Sequence, residues 1–307
     1  MAGVSVSLGS LLVLSLASVV WVGAAQAADR VADVNTVQFF PSGGRYRLFA
    51  VEAADVGPAW EPYGHVLFHG EHQSLKVTVA DHEEFVVKDQ YFADVNVGVG
   101  LFGFMSIELG LPVALAMESD PDTTSIAPVS GGGLGDMIIR LRGTPVSAKD
   151  GGFGFGIGLG FTVPTGDGDH FRGDPGAGML GNLMLDHQWS IVRLSANLGV
   201  RIRFESAEFL AIEFGNELTY GLGVGVELFD RRVGLAIEVQ GRTPLTEPFQ
   251  DLEAASLETM LGPRWWIVPG LSLELGIGAG LIQGHGTPDF RFLTGFTWAP
   301  ATAMVTR

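Results

Sequence analysis

The sequence predicts an all-β fold, an antiparallel transmembrane β-barrel of about twelve strands with both termini on the periplasmic side. Three observations carry that prediction. Apolar residues alternate with small or polar ones, connections alternate in length, and the high mean hydropathy comes without a spanning helix in the body of the chain. From Leu271 to Leu281 the chain reads Leu-Ser-Leu-Glu-Leu-Gly-Ile-Gly-Ala-Gly-Leu. Successive strand side chains point to opposite faces, so the large apolar groups land on one side and Ser272, Glu274 and three glycines on the other. The arrangement recurs from Phe153 to Phe161, Met105 to Met117 and Leu218 to Leu228. A soluble sheet would clothe its wet face in Lys, Thr or Gln. A bare face carrying a carboxylate belongs to a polar lumen with lipid on the other side.

Residues 1–27 have the pattern of an export signal. Leu11 to Val22 is a short apolar run, and Ala25-Gln26-Ala27 is a small-residue cleavage signal that places the cut before Ala28. No Lys or Arg precedes the run, which falls short of the ~20 residues a spanning helix needs. Residues 28–61, rich in Gly, Pro, Asp and Ala, are expected to form an irregular periplasmic N-terminal arm, partly tucked into the barrel. Residues 62–298 make the barrel and 299–307 a C-terminal tail.

Strands are expected over 62–72, 84–101, 105–117, 133–143, 153–163, 177–187, 190–204, 211–228, 233–243, 255–267, 271–282 and 289–298. Short turns fall at Gly103, Lys149-Asp150-Gly151, Gln188-Trp189, Asp230-Arg231 and Pro269-Gly270. Longer loops lie between them at 73–83, 118–132, 164–176, 205–210, 244–254 and 283–288. A β-sandwich has no reason for that alternation, whereas an outer-membrane barrel has short periplasmic turns and longer external loops. Trp189, Trp265, Trp266, Phe296 and Trp298 gather near predicted turns, where interfacial aromatic girdles sit.

Parity then sets the lumen. The inward set holds Asp94, Glu108, Asp136, Glu217, Glu227, Glu238, Glu258 and Glu274. It also holds Lys88, Arg140, Arg142, Arg193, Arg201, Arg203, Arg242, Arg264 and Arg291. An Arg or Lys facing lipid at mid-depth would cost about 2–4 kcal/mol. Interleaved signs predict pairing across the lumen and a narrowed or closed bore.

Three segments carry a resemblance. Gly133-Leu134-Gly135-Asp136-Met137-Ile138-Ile139-Arg140-Leu141-Arg142 resembles the GxGD strand of barrels related to the phenol-degradation "transporter" family and of the barrel domains of myxobacterial-type OmpA family proteins. Phe161-Thr162-Val163-Pro164-Thr165-Gly166-Asp167 resembles the strand end and loop start of the same group, and Gly215-Asn216-Glu217-Leu218-Thr219-Tyr220-Gly221 resembles the asparagine-glutamate strand of the OmpA-like branch. The likeness spans roughly 37 to 298. That branch implies a C-terminal peptidoglycan-gripping domain, but this sequence stops nine residues after Trp298, so that role is not carried over.

Other chemistries are weaker. A net charge of −16, from 18 Lys and Arg against 34 Asp and Glu, argues against nucleic acid. Cysteine is absent, which removes disulfides and thiolate metal sites. A lipid-cleaving enzyme needs Ser and His together on the lipid-facing rim, whereas Ser195 and Ser272 face inward and His187 lies by a turn. His65 and His69 share a strand face about 13 Å apart, too far for one metal, and His72 points away. Asp167-Gly168-Asp169-His170 with Asp174 offers oxygen ligands for calcium but lacks a closing bidentate Glu. The glycine runs at 131–135 and 151–160 are not followed by the Lys-Ser/Thr of a phosphate loop.

The expected role is thus an OmpA-like structural component of a Gram-negative outer membrane with a charge-paired lumen and no enzymatic activity. The alternative is a channel or transporter for small solutes. Expected partners are the lipid bilayer, the barrel-assembly machinery and, for a channel, a small solute; no cofactor or metal is expected.

Overall fold

The computed structural model describes residues 34–45, 47–79, 82–120, 129–148, 151–209, 212–250 and 254–300. The expected signal segment, the start of the arm and residues 301–307 of the tail lie outside the described residues. Among the described residues there are fifteen strands: β1 Pro62–Val79, β2 His82–Leu101, β3 Met105–Glu118, β4 Ser130–Leu134, β5 Met137–Val146, β6 Gly152–Val163, β7 Gly178–Trp189, β8 Val192–Arg203, β9 Ala207–Phe209, β10 Ile212–Phe214, β11 Glu217–Leu228, β12 Val233–Pro244, β13 Ser256–Val268, β14 Leu271–Gln283 and β15 Phe290–Trp298.

All pair antiparallel, and thirteen form one sheet. That sheet closes on itself, since β1 pairs with both β2 and β15 while β2 also pairs with β3. Both β4 and β5 pair with β3 and make one interrupted stave, so the wall has twelve staves. The seam runs from Gly64 opposite Trp298 to His72 opposite Phe290.

The wall is inside-out relative to a soluble protein. Along β14, Ser272 is 0% and Glu274 1% exposed, whereas Leu275 is 48% and Ile277 51% exposed. The same two-residue period runs through β6, where Ile157, Leu159 and Phe161 face outward. Closure pairs every stave on both sides, which a bilayer demands of backbone polar groups. The short connections, at 102–104, 147–151, 190–191, 229–232 and 269–270, gather at one end of the barrel, the turn end. Gly103 and Gly270, at φ 78° and 86°, supply the left-handed backbone of two of these turns. Phe102, Phe104, Phe153, Trp189, Phe229, Trp265 and Trp298 are exposed there as an aromatic collar. Pro62 and Trp298, where the wall starts and finishes, share that end.

Three departures from the expected strands have local causes. First, 133–143 is broken at Gly135-Asp136. Pro112 on the facing β3 has no N–H to donate, and only its carbonyl is used, accepting the Gly135 N–H at 2.8 Å. Second, β1 and β2 run on through the expected loop 73–83, with register shifts at His72–Leu75–Lys76. Leu75, Val86 and Val87 then pack with Val129, Phe171 and Phe214 at the loop end. Third, β9 and β10 pair only with each other, outside the wall, where one strand over 211–228 was expected. Asn216 ends that hairpin: its Oδ1 accepts the Arg203 N–H at 2.9 Å and its carbonyl the Leu245 N–H at 2.8 Å. The first described residues lie at the loop end, the Thr36 N–H donating to the Phe171 carbonyl at 3.1 Å, opposite the end shared by Pro62 and Trp298.

Candidate functional site in the lumen

The lumen is occupied by the chain's own residues 34–45 and 47–61. This arm starts among the loops, where Asn35 Nδ2 approaches Asp136 Oδ2 at 3.5 Å. It crosses the bore and reaches the turn end, where the Trp60 N–H donates to the Gly100 carbonyl at 2.8 Å. Midway it makes a tight reversal closed by the Arg47–Glu52 bridge and by the Leu48 N–H on the Val51 carbonyl.

The wall receives this reversal in two ways. Glu238 of β12 aims its carboxylate at three consecutive amides, of Phe49 at 3.1 Å, Ala50 at 2.8 Å and Val51 at 3.2 Å. Such a nest of N–H groups is an anion-binding concavity. Inward glycines supply the space. A Cβ at Gly276 would stand 2.8 Å from the Phe49 ring, one at Gly221 2.9 Å from Val51 Cγ2, and one at Gly156 3.0 Å from the Ala54 carbonyl. Asn197 clasps Glu52, accepting its N–H at 2.7 Å and donating to its carbonyl at 2.8 Å.

Charged side chains of the described residues form five clusters, four of them hydrogen-bonded or ion-paired to the arm, one of these through Arg201 and Arg242 on Gln38 at 3.0 and 3.3 Å. Glu274 binds Arg264 at 3.0 Å and also Arg47 of the arm. Glu108 receives Arg142 at 3.2 Å and the Tyr63 hydroxyl at 2.7 Å, while Arg142 also donates to the Ala53 carbonyl. Arg193 bridges Asp186 at 2.9 Å and Asp55 at 3.2 Å. Nearer the loop end, Asp174 holds Arg201 at 2.7 Å and Arg203 at 3.3 Å, and Glu217 faces Arg203 at 3.1 Å and Arg242 at 3.3 Å. Arg291 there grips Glu258 at 2.6 Å and also Glu71.

Asp94 pairs with His69 Nε2 at 2.8 Å, and that ring stacks on Phe92 at 5.3 Å. Asp136 lies in the stave break, not on a strand, and accepts the Gly166 and Asp174 N–H groups at 3.0 and 2.7 Å. Glu227 is not brought to the other charges: it pairs at 3.1 Å with Arg231 at the turn-end rim, where both are well exposed. Lys88 pairs with Asp120 at 3.3 Å towards the loops. Arg140 donates to Asn96 Oδ1 at 3.3 Å. The residues that were not anticipated are Arg47, Glu52 and Asp55 on the arm, and Glu71 and Asp186 on the wall. Parity would have found the last two.

The acidic loop divides its carboxylates. Asp167 turns to His170 at 2.7 Å and Arg172 at 3.2 Å, and Asp174 to its two arginines. Burial works to raise the Asp174 carboxyl's pKa, but Arg201 and Arg203 outweigh it and hold the pKa below the ordinary carboxylate range. Ser195 donates to Asp186 at 2.6 Å inside the wall, whereas the His187 ring sits outside between Phe153 and Trp189, at 4.4 and 4.0 Å.

Between arm and wall lies a cavity of about 170 Å³. A closed twelve-stave barrel with lipid-facing apolar residues, an aromatic collar and charged staves inside defines an outer-membrane-type β-barrel. The family model described as putative MetA-pathway of phenol degradation matches residues 76–283, and the chain belongs to that family. Its fold is similar to an outer-membrane channel from Pseudomonas putida F1, at TM-score 0.63 and 13% identity over 80% of this chain and 97% of that one. It is also similar to the NanC porin, at TM-score 0.52 and 7% identity over 77% of this chain and 98% of that one. No curated protein matches the chain.

Proposed function

We propose that this protein is an outer-membrane channel for small solutes whose bore is held shut by its own N-terminal arm. The observation that carries the reading is the lumen itself: a charged wall enclosing a ready cavity, with the obstruction made of a separable segment rather than of packed wall side chains. Membership of the phenol-degradation family and the likeness to channel folds support conduction over a purely structural role. The short turns face the periplasm in this reading, the loops face outward, and residues 1–27 direct export. The family's description makes small aromatic compounds the first solutes to try.

An OmpA-like structural role has one observation in its favour, the tight pairing of charges that stiffens the bore. Planar-bilayer recording of the mature protein and of a form lacking residues 34–59 separates the two. A channel gives rare small steps that become larger and frequent once the arm is gone. A barrel that folds without its arm and stays silent is a structural component.

A further inference from the structure

We propose that the lumen cavity binds a small carboxylate with an apolar body, recognised by Arg140. This deepens the channel reading by naming its solute class. Five guanidinium groups border the cavity, those of Arg140, Arg142, Arg201, Arg242 and Arg291, against the carboxylates of Glu52, Glu217 and Glu258. Four of the five are engaged: Arg142 with Glu108 at 3.2 Å, Arg201 with Asp174 at 2.7 Å, Arg242 with Glu217 at 3.3 Å and Arg291 with Glu258 at 2.6 Å. Each cavity carboxylate is also met, Glu52 by Asn182 at 3.1 Å.

Arg140 is different. It is only 9% exposed, its Nη1 donates to the neutral Asn96 Oδ1 at 3.3 Å, and it has no ion pair among the described residues. Its cross-strand neighbour is Glu108, whose Oε1 serves Arg142, Tyr63 and Ser106 and whose Oε2 accepts no hydrogen bond from the described residues; Arg140 makes no ion pair with it. Gly43 of the arm lies against both groups: a Cβ there would stand 2.5 Å from Glu108 Oε2 and 2.9 Å from Arg140 Nη1. A buried charge without a partner is strongly unfavourable. In a protein of net charge −16, an internal cation that makes no ion pair among the described residues and borders a cavity invites an anion.

The shape of the site selects among anions. A guanidinium offers a planar fork that matches a carboxylate bidentately. The cavity lining also includes Phe40 and Leu180, apolar surface that a bare inorganic ion would not use. At about 170 Å³ the cavity exceeds the roughly 150 Å³ that accommodates benzene in an engineered protein core.

The test is calorimetric titration of the full mature protein in detergent with benzoate, with neutral benzamide of the same shape, and with chloride. Benzoate is expected to bind at least ten-fold more tightly than benzamide. R140Q should weaken benzoate at least ten-fold and leave benzamide unchanged, and R140K, which keeps the charge but not the fork, should fall between. Equal affinity for benzoate and benzamide overturns the proposal, as does a folded R140Q that binds benzoate normally, or a site that chloride fills and benzoate does not. Should R140Q fail to fold, R140K and the ligand comparison decide alone. The readout needs no bilayer: a silent barrel that binds benzoate refutes only conduction, and a conducting barrel indifferent to it refutes only the carboxylate.

Discussion

Gly223 of β11 faces Leu48 of the arm so closely that a Cβ on the glycine would overlap the Leu48 Cδ1 atom. The contact couples wall composition to the state of the bore, because a larger residue at 223 can be accommodated only if the reversal of the arm moves. Gly223→Val is therefore expected to keep the barrel folded, as judged by heat-modifiable migration on a gel, while making arm residues 47–52 accessible to protease. Its single-channel steps should be larger than those of the parent. A variant with unchanged accessibility would show that the wall yields instead.

Glu238 gives a second handle on the same segment. Replacing it with Ala leaves the Phe49, Ala50 and Val51 amides without their acceptor, and each buried donor left unmet costs about 1–3 kcal/mol. The expected outcome is faster amide hydrogen exchange confined to the arm, with wall strands unaffected. Protection lost equally from β12 and its neighbours would contradict this.

Adjacent residues of β6 test the inside-outside assignment. Ile157 is exposed on the outer face, while a side chain at Gly158 would meet only ordinary contacts, the nearest at 3.6 Å, beside the cavity. Ile157→Arg should lower the folding yield in bilayers by an amount matching about 2–4 kcal/mol. Gly158→Arg should fold nearly as well as the parent. Gly276 is no comparable control, since Phe49 of the arm covers it.

Asp174 predicts a pH dependence at the loop end. Its folded-state pKa is depressed by Arg201 and Arg203 against the opposing effect of burial. The stabilisation it contributes is therefore fully present above the unfolded value, near 3.9, and is lost as pH falls through the lower folded value. Asp174→Asn should lower the urea midpoint at pH 7 and flatten the further fall below pH 4. A parallel shift at every pH would mean the carboxylate's charge is immaterial.

Much of the wall was legible because lipid imposes a rule with period two. Ile157, Leu159, Leu275 and Ile277 announce the outer face, and Ser272 and Glu274 the inner one. The break opposite Pro112 was also written in the chain, since a proline within a ladder removes a donor. Leu75 to Val79 continue β1 where the alternation of connections suggested a loop. Parity gave Glu227 the inward face but not its depth, and at the rim it meets Arg231 rather than the lumen charges. The arm obeys no period at all. Arg47, Glu52 and Asp55 are ordinary residues of an irregular stretch until the folded wall sets Glu274, Asn197 and Arg193 against them.

The arm is tethered to the wall at Pro62, by the turn end, while its far portion at Asn35 and Thr36 is held among the loops. A cord anchored at one mouth and pinned at the other cannot swing aside like a door. To leave the bore it must give up its contacts with Arg193, Asn197, Glu238 and Glu274 in order along its length, so each of these wall residues is a separate point at which clearance can be slowed.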